Sequence, residues 1–272
     1  MPVANVNGIN LFYKVHGKGE PLVLITGLGG GHGAWFFQIR SFRKHFRCVT
    51  MDNRGIGKTD KPKEPYTVRT MADDVVGLMD HLGIDKAHVV GISMGGMISQ
   101  ELAINHPERV KKLVLGCTAA DTSSDTSLHS ELRKALGIKE DATEADIDMV
   151  GFKNIINSVI PLGFNKRLYR IFIVPCARLY MMRLAGEGIV GQFKAIMSHN
   201  TLDRLNLIKA PTLVICGTED RLVPPESSDI LASRIPGARQ VKVEGGSHSF
   251  LVEMSSRFNR EVLDFLLEDN DA

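Results

Sequence analysis

The stretch HVVGISMGG, residues 88–96, places a single serine between glycines at the point where an apolar run ends. A helical pattern, MISQELAINH, follows at once, so the residues form G-x-S-x-G between a predicted strand and a predicted helix. Small residues at Gly91 and Gly95 suit a tight strand-to-helix turn, since bulkier side chains there would clash. Such a turn exposes the hydroxyl of Ser93 above the helix N-terminus, beside the amide of Met94. Ser93 is therefore predicted to be a nucleophile rather than only a helix cap.

Short runs rich in valine, isoleucine and leucine alternate with helical patterns along most of the chain. The first run alternates polar with apolar residues, which is typical of an edge hairpin, and the others are nearly continuously apolar, like parallel strands buried on both faces. Strands alternating with helices predict an α/β fold with a mostly parallel sheet and helices on both faces. The predicted strands are residues 9–15, 21–26, 48–52, 88–92, 112–116, 212–216 and 240–244.

One helical pattern between the predicted strands is TVRTMADDVVGLMDHLG, residues 67–83. Met71, Val75 and Leu78 share its apolar face, and Asp74 is predicted to point away from that face. The pattern therefore predicts an amphipathic helix that packs on the sheet.

Two loops after late strands contain the partners that a serine nucleophile needs. The strand at 212–216 is followed by GTEDRLVPP, which places Asp220 just past the carboxyl end of a strand. The strand at 240–244 is followed by GGSHSF, which places His248 on a glycine-containing loop. His248 is predicted to take the proton of Ser93, and Asp220 is predicted to orient the imidazole and stabilise its cation.

Other acids and histidines stand as alternatives for these two roles. Asp121 follows the strand at 112–116, and Glu219 adjoins Asp220, so either could supply the carboxylate. His32 lies beside a glycine-rich loop, where it could line a pocket or pack within the loop. The remaining histidines do not follow a late strand and are interpreted as surface or packing residues.

The loop GLGGGHG, residues 27–33, follows the strand at 21–26 and is predicted to complete an oxyanion hole. Its glycines allow backbone N–H groups to approach an anion closely, with Leu28 as the donor beside Met94. A phosphate-binding loop is the rival interpretation. This loop does not end in G-K-[ST], and no G-x-G-x-x-G in it leads into a helix, which disfavours that rival.

The alternation of strands and helices stops between about residue 120 and residue 200, where the pattern is helical. This region is interpreted as an insertion above the sheet, because a strand pattern returns after it. Residues 151–200 contain seven basic residues and one acid, Glu187. The basic side chains are interpreted as a solvated face, and the apolar side chains around them favour neutral acyl substrates over anionic ones.

The composition of the 272 residues, 43% hydrophobic and 24% charged with net charge +2, is typical of one large globular domain. The balanced charge predicts a small-molecule partner and no nucleic-acid or membrane surface. The amino terminus has no basic segment followed by an apolar core, so no secretory signal is predicted and a cytoplasmic location is expected. The four cysteines have no metal-binding spacing and are predicted to be reduced core residues.

These motifs together resemble the α/β-hydrolase superfamily over nearly the whole chain. The resemblance is carried by TGLGG, MDNRGIGKTD, GISMGGMISQELAINHPERVKKLVL, GTEDRLVPP and GGSHSF. Within the superfamily the chain is similar to the capped esterases and lactonases grouped around 3-oxoadipate enol-lactonase and the acyl-homoserine lactonases. The resemblance implies about eight strands, a core of residues 1–120 and 202–272, a helical cap of residues 121–201, and no metal or organic cofactor. Thr26 stands where the family's oxyanion loop usually has histidine.

The candidate catalytic residues are Ser93, Asp220 and His248, with Leu28 and Met94 as oxyanion donors. They predict a carboxylic ester hydrolase that acts on a small ester or lactone, such as an acyl-homoserine lactone, through an acyl-enzyme. A cofactor-free perhydrolase or haloperoxidase, a carbon–carbon hydrolase and a weakly catalytic small-ligand receptor can carry the same triad and stay as alternatives. Haloalkane dehalogenases and epoxide hydrolases are disfavoured, because they need aspartate where Ser93 stands.

Overall fold

The fold is built on an eight-stranded sheet. The computed structural model describes residues 2–123, 130, 156, 163–165, 167–185 and 188–268. In chain order the strands β1 to β8 are Val3–Val6, Ile9–His16, Glu20–Ile25, Phe46–Met51, Ala87–Ile92, Val110–Gly116, Thr212–Gly217 and Arg239–Val243. Their order across the sheet is β1-β2-β4-β3-β5-β6-β7-β8. The pairs β1–β2 and β2–β4 are antiparallel, and the remaining neighbours are parallel. The predicted α/β fold with a mostly parallel sheet is confirmed.

Strand β1 is the one element of the sheet that the sequence pattern does not predict. Its four residues, VANV, alternate exposed and buried positions over too short a stretch for a clear periodic signal. A tight turn through Asn7 and Gly8, with φ of 46° and 75°, returns the chain into β2. The edge hairpin predicted from residues 9–15 is therefore formed by β1 and β2.

Helices cover both faces of the sheet. In the described residues, helices α1 to α8 are Phe36–Phe42, Val68–His81, Met94–Asn105, Arg167–Ala185, Gly188–Met197, Pro225–Arg234, Phe250–Glu253 and Ser255–Leu267. Alternate residues of a strand face opposite sides, so Val23 and Ile25 of β3 join one buried cluster, and Leu22 and Leu24 join another. This burial on both faces explains the nearly continuous apolar runs in the sequence.

Helix α2 forms where the pattern predicts it, with Met71, Val75 and Leu78 buried. The predicted exposure of Asp74 is wrong, because its buried carboxylate accepts hydrogen bonds from Nε and Nη2 of Arg54 at 2.8 and 2.6 Å. Burial raises the pKa of Asp74, and the paired guanidinium offsets part of that cost. The ion pair ties α2 to the loop that follows β4.

Helices α4 and α5 lie against the loops that follow β3 and β4. The amide of Gly57 donates to the carbonyl of Leu184, at the end of α4, at 2.7 Å. The two ends of the predicted insertion meet, because the amide of Thr201 donates to the carbonyl of Ala120 at 2.8 Å. The chain thus leaves and rejoins the sheet region at one place.

Residues 124–129, 131–155, 157–162, 166 and 186–187 of the predicted cap lie outside the described residues. The division into a core of residues 1–120 and 202–272 and a cap of residues 121–201 therefore stays a prediction. None of the described helices is long and apolar enough to cross a membrane.

Candidate active site

Ser93 lies in the sharp turn between β5 and α3. Its φ of 56° and ψ of −123° put it in a strained backbone region that residues with a side chain rarely adopt. The amide of Ser93 donates to the carbonyl of Gly116 in the neighbouring strand at 2.8 Å. The hydroxyl of Thr118 donates to the carbonyl of Ser93, also at 2.8 Å. These bonds from β6 and the loop after it hold the strained turn in place.

The glycines on either side of Ser93 are required by the close approach of neighbouring backbone. A Cβ atom on Gly91 would lie 2.2 Å from the carbonyl oxygen of Gly95. A Cβ atom on Gly95 would lie 2.1 Å from the carbonyl oxygen of Ile25. Because both distances are well inside van der Waals contact, the turn and the packing of α3 against β3 depend on glycine at both positions.

Asp220 and His248 meet at the carboxyl ends of β7 and β8. Nδ1 of His248 lies 2.8 Å from Oδ2 of Asp220. Oδ1 of Asp220 accepts hydrogen bonds from the amides of Leu222 and Val223, both at 2.9 Å, so the buried carboxylate is held in one orientation. With Nδ1 bonded to the carboxylate, Nε2 is the ring nitrogen that Asp220 leaves free of contact. Ser93 and His248 line the same cavity.

Buried polar groups anchor the loop that carries His248. The thiol of Cys117 donates to the carbonyl of His248 at 3.4 Å, and the hydroxyl of Ser247 donates to the carboxylate of Glu253 at 2.5 Å. Among the described residues, Cys117, Asp220 and His248 are the one group whose side chains could converge on a metal ion. Burial raises the pKa of the Cys117 thiol well above its ordinary value, which keeps this sulfur protonated as the donor to the His248 carbonyl.

The other acids considered have different partners. Oδ1 of Asp121 accepts from the amide of Ser123 at 2.8 Å. Oε2 of Glu219 accepts from the side-chain amide of Asn165 at 3.3 Å. Of the three carboxylates, the one that hydrogen-bonds the catalytic candidate imidazole is that of Asp220.

His32 bonds to Asp52, and it is not among the described residues that line the cavity. Both its amide and its Nδ1 reach Oδ1 of Asp52, at 2.8 and 2.7 Å. The ring of His32 packs against Phe12 with the ring centroids 4.9 Å apart. Oδ2 of Asp52 accepts from the amide of Lys58 at 3.0 Å, so Asp52 joins the loops that follow β3 and β4.

The loop after β3 contains a turn through residues 27–30, called here the glycine turn. The amide of Gly30 donates to the carbonyl of Gly27 at 3.0 Å, and Gly29 has φ of 66°. The hydroxyl of Thr26 donates to the carbonyl of Gly30 at 2.6 Å. The residue that departs from the family pattern therefore supports this turn through its own side chain.

The predicted oxyanion donors, Leu28 and Met94, belong to the glycine turn and to the first turn of α3. A Cβ atom on Gly27 would lie 3.0 Å from Cβ of Ser93, so the glycine turn is directly beside the serine. Met94 is the first residue of α3, and its N–H is one of those that a helix leaves without an internal acceptor. Among the hydrogen bonds of the described residues, the amide of Leu28 has no acceptor either. Their role as oxyanion donors therefore stays a prediction.

A cavity of about 490 Å³ lies over Ser93 and His248. Its lining is largely apolar, and among the described lining residues there is no lysine, arginine, aspartate or glutamate. Tyr180 of α4 is one of its few lining residues with a polar side chain. Burial and the nearby charge of Asp52 raise the pKa of Tyr180, so its phenol is a neutral hydrogen-bond donor.

The prediction that all four cysteines are core residues is wrong for Cys176, which is exposed and lines the cavity from α4. Sequence reasoning singled out neither Cys176 nor Tyr180. Both recur with Ile173 at the spacing of one helical face, which is the signal that could have found them.

Comparison with known proteins places the chain among hydrolases. The model of the family described as alpha/beta hydrolase fold matches residues 20–148 and 177–254. A Caulobacter segnis protein, named provisionally as the carbamate hydrolase RutD, is 33% identical over 98% of this chain and 99% of its own. The enol-lactonase from Burkholderia xenovorans LB400 is 32% identical, with a TM-score of 0.83 over 98% of this chain and 100% of that chain. An N-acyl homoserine lactone degrading enzyme, Est816, is 27% identical, with a TM-score of 0.81 over 97% of this chain and 100% of that chain.

Proposed function

Since the chain belongs to the alpha/beta hydrolase family, we propose that it is a serine hydrolase that cleaves a small carboxylic ester or lactone. The observation that carries the proposal is the bond between His248 and Asp220, in the wall of the cavity that also holds the strained Ser93. A serine hydroxyl is a weak nucleophile until an adjacent base takes its proton. His248, oriented by a buried carboxylate, supplies that base.

In the acylation step, Oγ of Ser93 attacks the substrate carbonyl carbon while its proton passes to Nε2 of His248. Asp220 accepts from Nδ1–H and stabilises the imidazolium that forms. The amides of Leu28 and Met94 donate to the oxyanion of the tetrahedral intermediate. When the intermediate collapses, the carbon–oxygen bond to the alcohol breaks, and the leaving oxygen takes the proton from Nε2.

In the deacylation step, water attacks the acyl-enzyme while His248 takes a proton from it. The second tetrahedral intermediate uses the same two amides. Its collapse releases the carboxylic acid and returns the proton to Oγ of Ser93. A lactone follows the same two steps, with the alcohol still attached to the acyl group in the product.

We take residues 121–201 as the cap of this hydrolase and residues 1–120 and 202–272 as its core. The paired ends of the insertion support this division, since the amide of Thr122 donates to the carbonyl of His199 at 3.0 Å. In this arrangement α4 and α5 cover Ser93 and determine which acyl and alcohol groups enter.

A fluorophosphonate probe tests the nucleophile directly. Because the probe phosphorus is attacked by an activated serine, we expect one covalent adduct per chain, located on Ser93 by peptide mass spectrometry. Heat-denatured protein is the control and should not react. An adduct on another serine, or none on the folded protein, would overturn the proposal.

Neutral substrates are expected to react faster than anionic ones. The described lining of the cavity has no cationic lysine or arginine to pair with a substrate carboxylate, and burying an unpaired carboxylate is costly. We expect kcat/KM for p-nitrophenyl butyrate and for a neutral acyl-homoserine lactone to exceed that for a carboxylate-bearing lactone by about 10-fold or more.

The measurement compares the three substrates at one ionic strength, with a p-nitrophenyl carbamate added because of the carbamate-hydrolase relative. A preference for the anionic lactone that is lost in Arg167→Gln or Arg178→Gln would show that the basic face of the predicted cap binds substrate. Tight lactone binding without turnover would favour the receptor alternative. Faster reaction with peroxide than with esters would favour a perhydrolase or haloperoxidase. Faster cleavage of a carbon–carbon bond than of esters would favour a carbon–carbon hydrolase.

A further inference from the structure

Gln192 of α5 joins two loops near Ser93 through both ends of its side-chain amide. Its Oε1 accepts from the amide of Gly29 at 2.9 Å, and its Nε2 donates to the carbonyl of Arg54 at 2.8 Å. The side chain is fully buried, so both bonds are made without competition from water. Because the carbonyl and the NH₂ group of this side chain both bond to backbone atoms, Gln192 holds the backbone of the two loops in place.

The bond to Gly29 completes the hydrogen bonding of the glycine turn. Within the turn, the amide of Gly30 bonds to Gly27, and the amide of Gly29 bonds to Gln192. Among the hydrogen bonds of the described residues, the amides of Gly27 and Leu28 have no acceptor, and the proposed function assigns the amide of Leu28 to the oxyanion. The Gly27 carbonyl, which accepts from Gly30, shares a peptide plane with the Leu28 N–H, and the Gly29 N–H, which Gln192 holds, shares the next plane with the Leu28 carbonyl. Both peptide planes that meet at Leu28 are therefore held.

Packing alone does not set this orientation. A Cβ atom on Gly29 would lie 2.4 Å from Cε of Met181 and 2.9 Å from Cδ1 of Ile189, so α4 and α5 press directly on the turn. Such apolar contacts limit how far the turn can move, but they are not directional. The hydrogen bond that Gly29 donates to Gln192 is a directional contact between the turn and α5.

The Nε2 group of Gln192 bonds to a residue that is itself held by a buried ion pair. Its partner residue, Arg54, is the same one whose guanidinium pairs with the buried Asp74 of α2. The orientation of the Gln192 amide is therefore set, because Nε2 must face the Arg54 carbonyl and Oε1 must face Gly29.

On the proposed function, we infer that Gln192 is a positioning residue of the oxyanion hole. It orients the glycine turn so that the Leu28 N–H points at the oxygen over Ser93, and it makes this geometry depend on α5. This role of Gln192 rests on the proposed function, because an oxyanion forms only if Ser93 attacks an ester carbonyl.

The test is Gln192→Met, which keeps the length of the side chain and removes both hydrogen bonds. A misdirected oxyanion donor weakens transition-state binding more than substrate binding. We expect kcat for p-nitrophenyl butyrate, per site titrated with fluorophosphonate, to fall about 10- to 100-fold while KM changes by less than about threefold. The rate of phosphonylation should fall in parallel, because that reaction also develops charge on an oxygen in the hole.

Gln100→Met is the matched control. Gln100 is equally buried, donates to the carbonyl of Ala119 at 3.0 Å, and accepts from the hydroxyl of Thr201 at 2.6 Å. Its removal should lower Tm as Gln192→Met does, and kcat per titrated site should stay within about twofold of the parent value. A purely structural role for Gln192 would make the two variants indistinguishable in kcat, and that result would overturn the inference.

Two further variants keep the test decisive. If Gln192→Met does not fold, Gln192→Asn keeps the amide but is one methylene short, and a lowered Tm with unchanged kcat would count against positioning. Ser93→Ala separates the two proposals. If Ser93→Ala still turns over the ester, the proposed function has failed; if it is inactive while Gln192→Met and Gln192→Asn keep full kcat, only the inference has failed.

Discussion

Ser93→Ala is expected to lower kcat for p-nitrophenyl butyrate by about 10⁴- to 10⁶-fold, because loss of the hydroxyl removes the covalent route. The oxyanion donors and the binding cavity remain, so a small residual rate above the uncatalysed reaction should persist. Alanine adopts the strained φ of 56° no more easily than serine does, and the change removes only one oxygen atom. Circular dichroism and Tm should therefore match the parent protein.

His248→Ala should lower kcat by a similar factor, and kcat of the double variant should be only slightly below that of either single variant. Serine and histidine act as one unit, so once either side chain is lost, removing the other lowers kcat little further. Steady-state kinetics of the four proteins on one ester checks this. Losses that multiply would mean that His248 acts in a separate step, and near-normal turnover by Ser93→Ala would end the acyl-enzyme proposal.

The local patterns that predict the fold are those in which one physical requirement selects the residue type. Burial on both faces selects continuous apolar runs, and all seven predicted strands are present. Close backbone approach selects glycine at Gly91 and Gly95, which is why the turn that carries Ser93 can be read from its spacing.

Contacts between distant segments are what local patterns cannot predict. Asp74 has a carboxylate that is typical of an exposed helical face, and its burial depends on Arg54, twenty positions away in the chain. The role of Gln192 likewise depends on distant residues, since its two partners lie 163 and 138 positions away in the chain. The sequence shows that a hydrolase-like serine turn is present, but the arrangement of the loops around it follows from tertiary packing.

Asp220→Asn is expected to lower kcat by about 10⁴-fold with little change in KM. The reason lies in the orientation that the backbone imposes. The amides of Leu222 and Val223 both donate to Oδ1, so an asparagine must keep its carbonyl oxygen there. Its NH₂ group then replaces Oδ2, which faces Nδ1 of His248.

An NH₂ group at that position can only donate, so Nδ1 of His248 must become the acceptor and the ring proton must move to Nε2. In that tautomer His248 cannot take the proton of Ser93, although every atom stays in place. Asp121→Asn is the matched control. Its Oδ1 accepts from the amide of Ser123, a bond that asparagine can also make, so kcat should change by less than about threefold. Comparing kcat and Tm for the two variants decides between the acids: a severe loss in Asp121→Asn with a mild one in Asp220→Asn would move the carboxylate to the loop after β6.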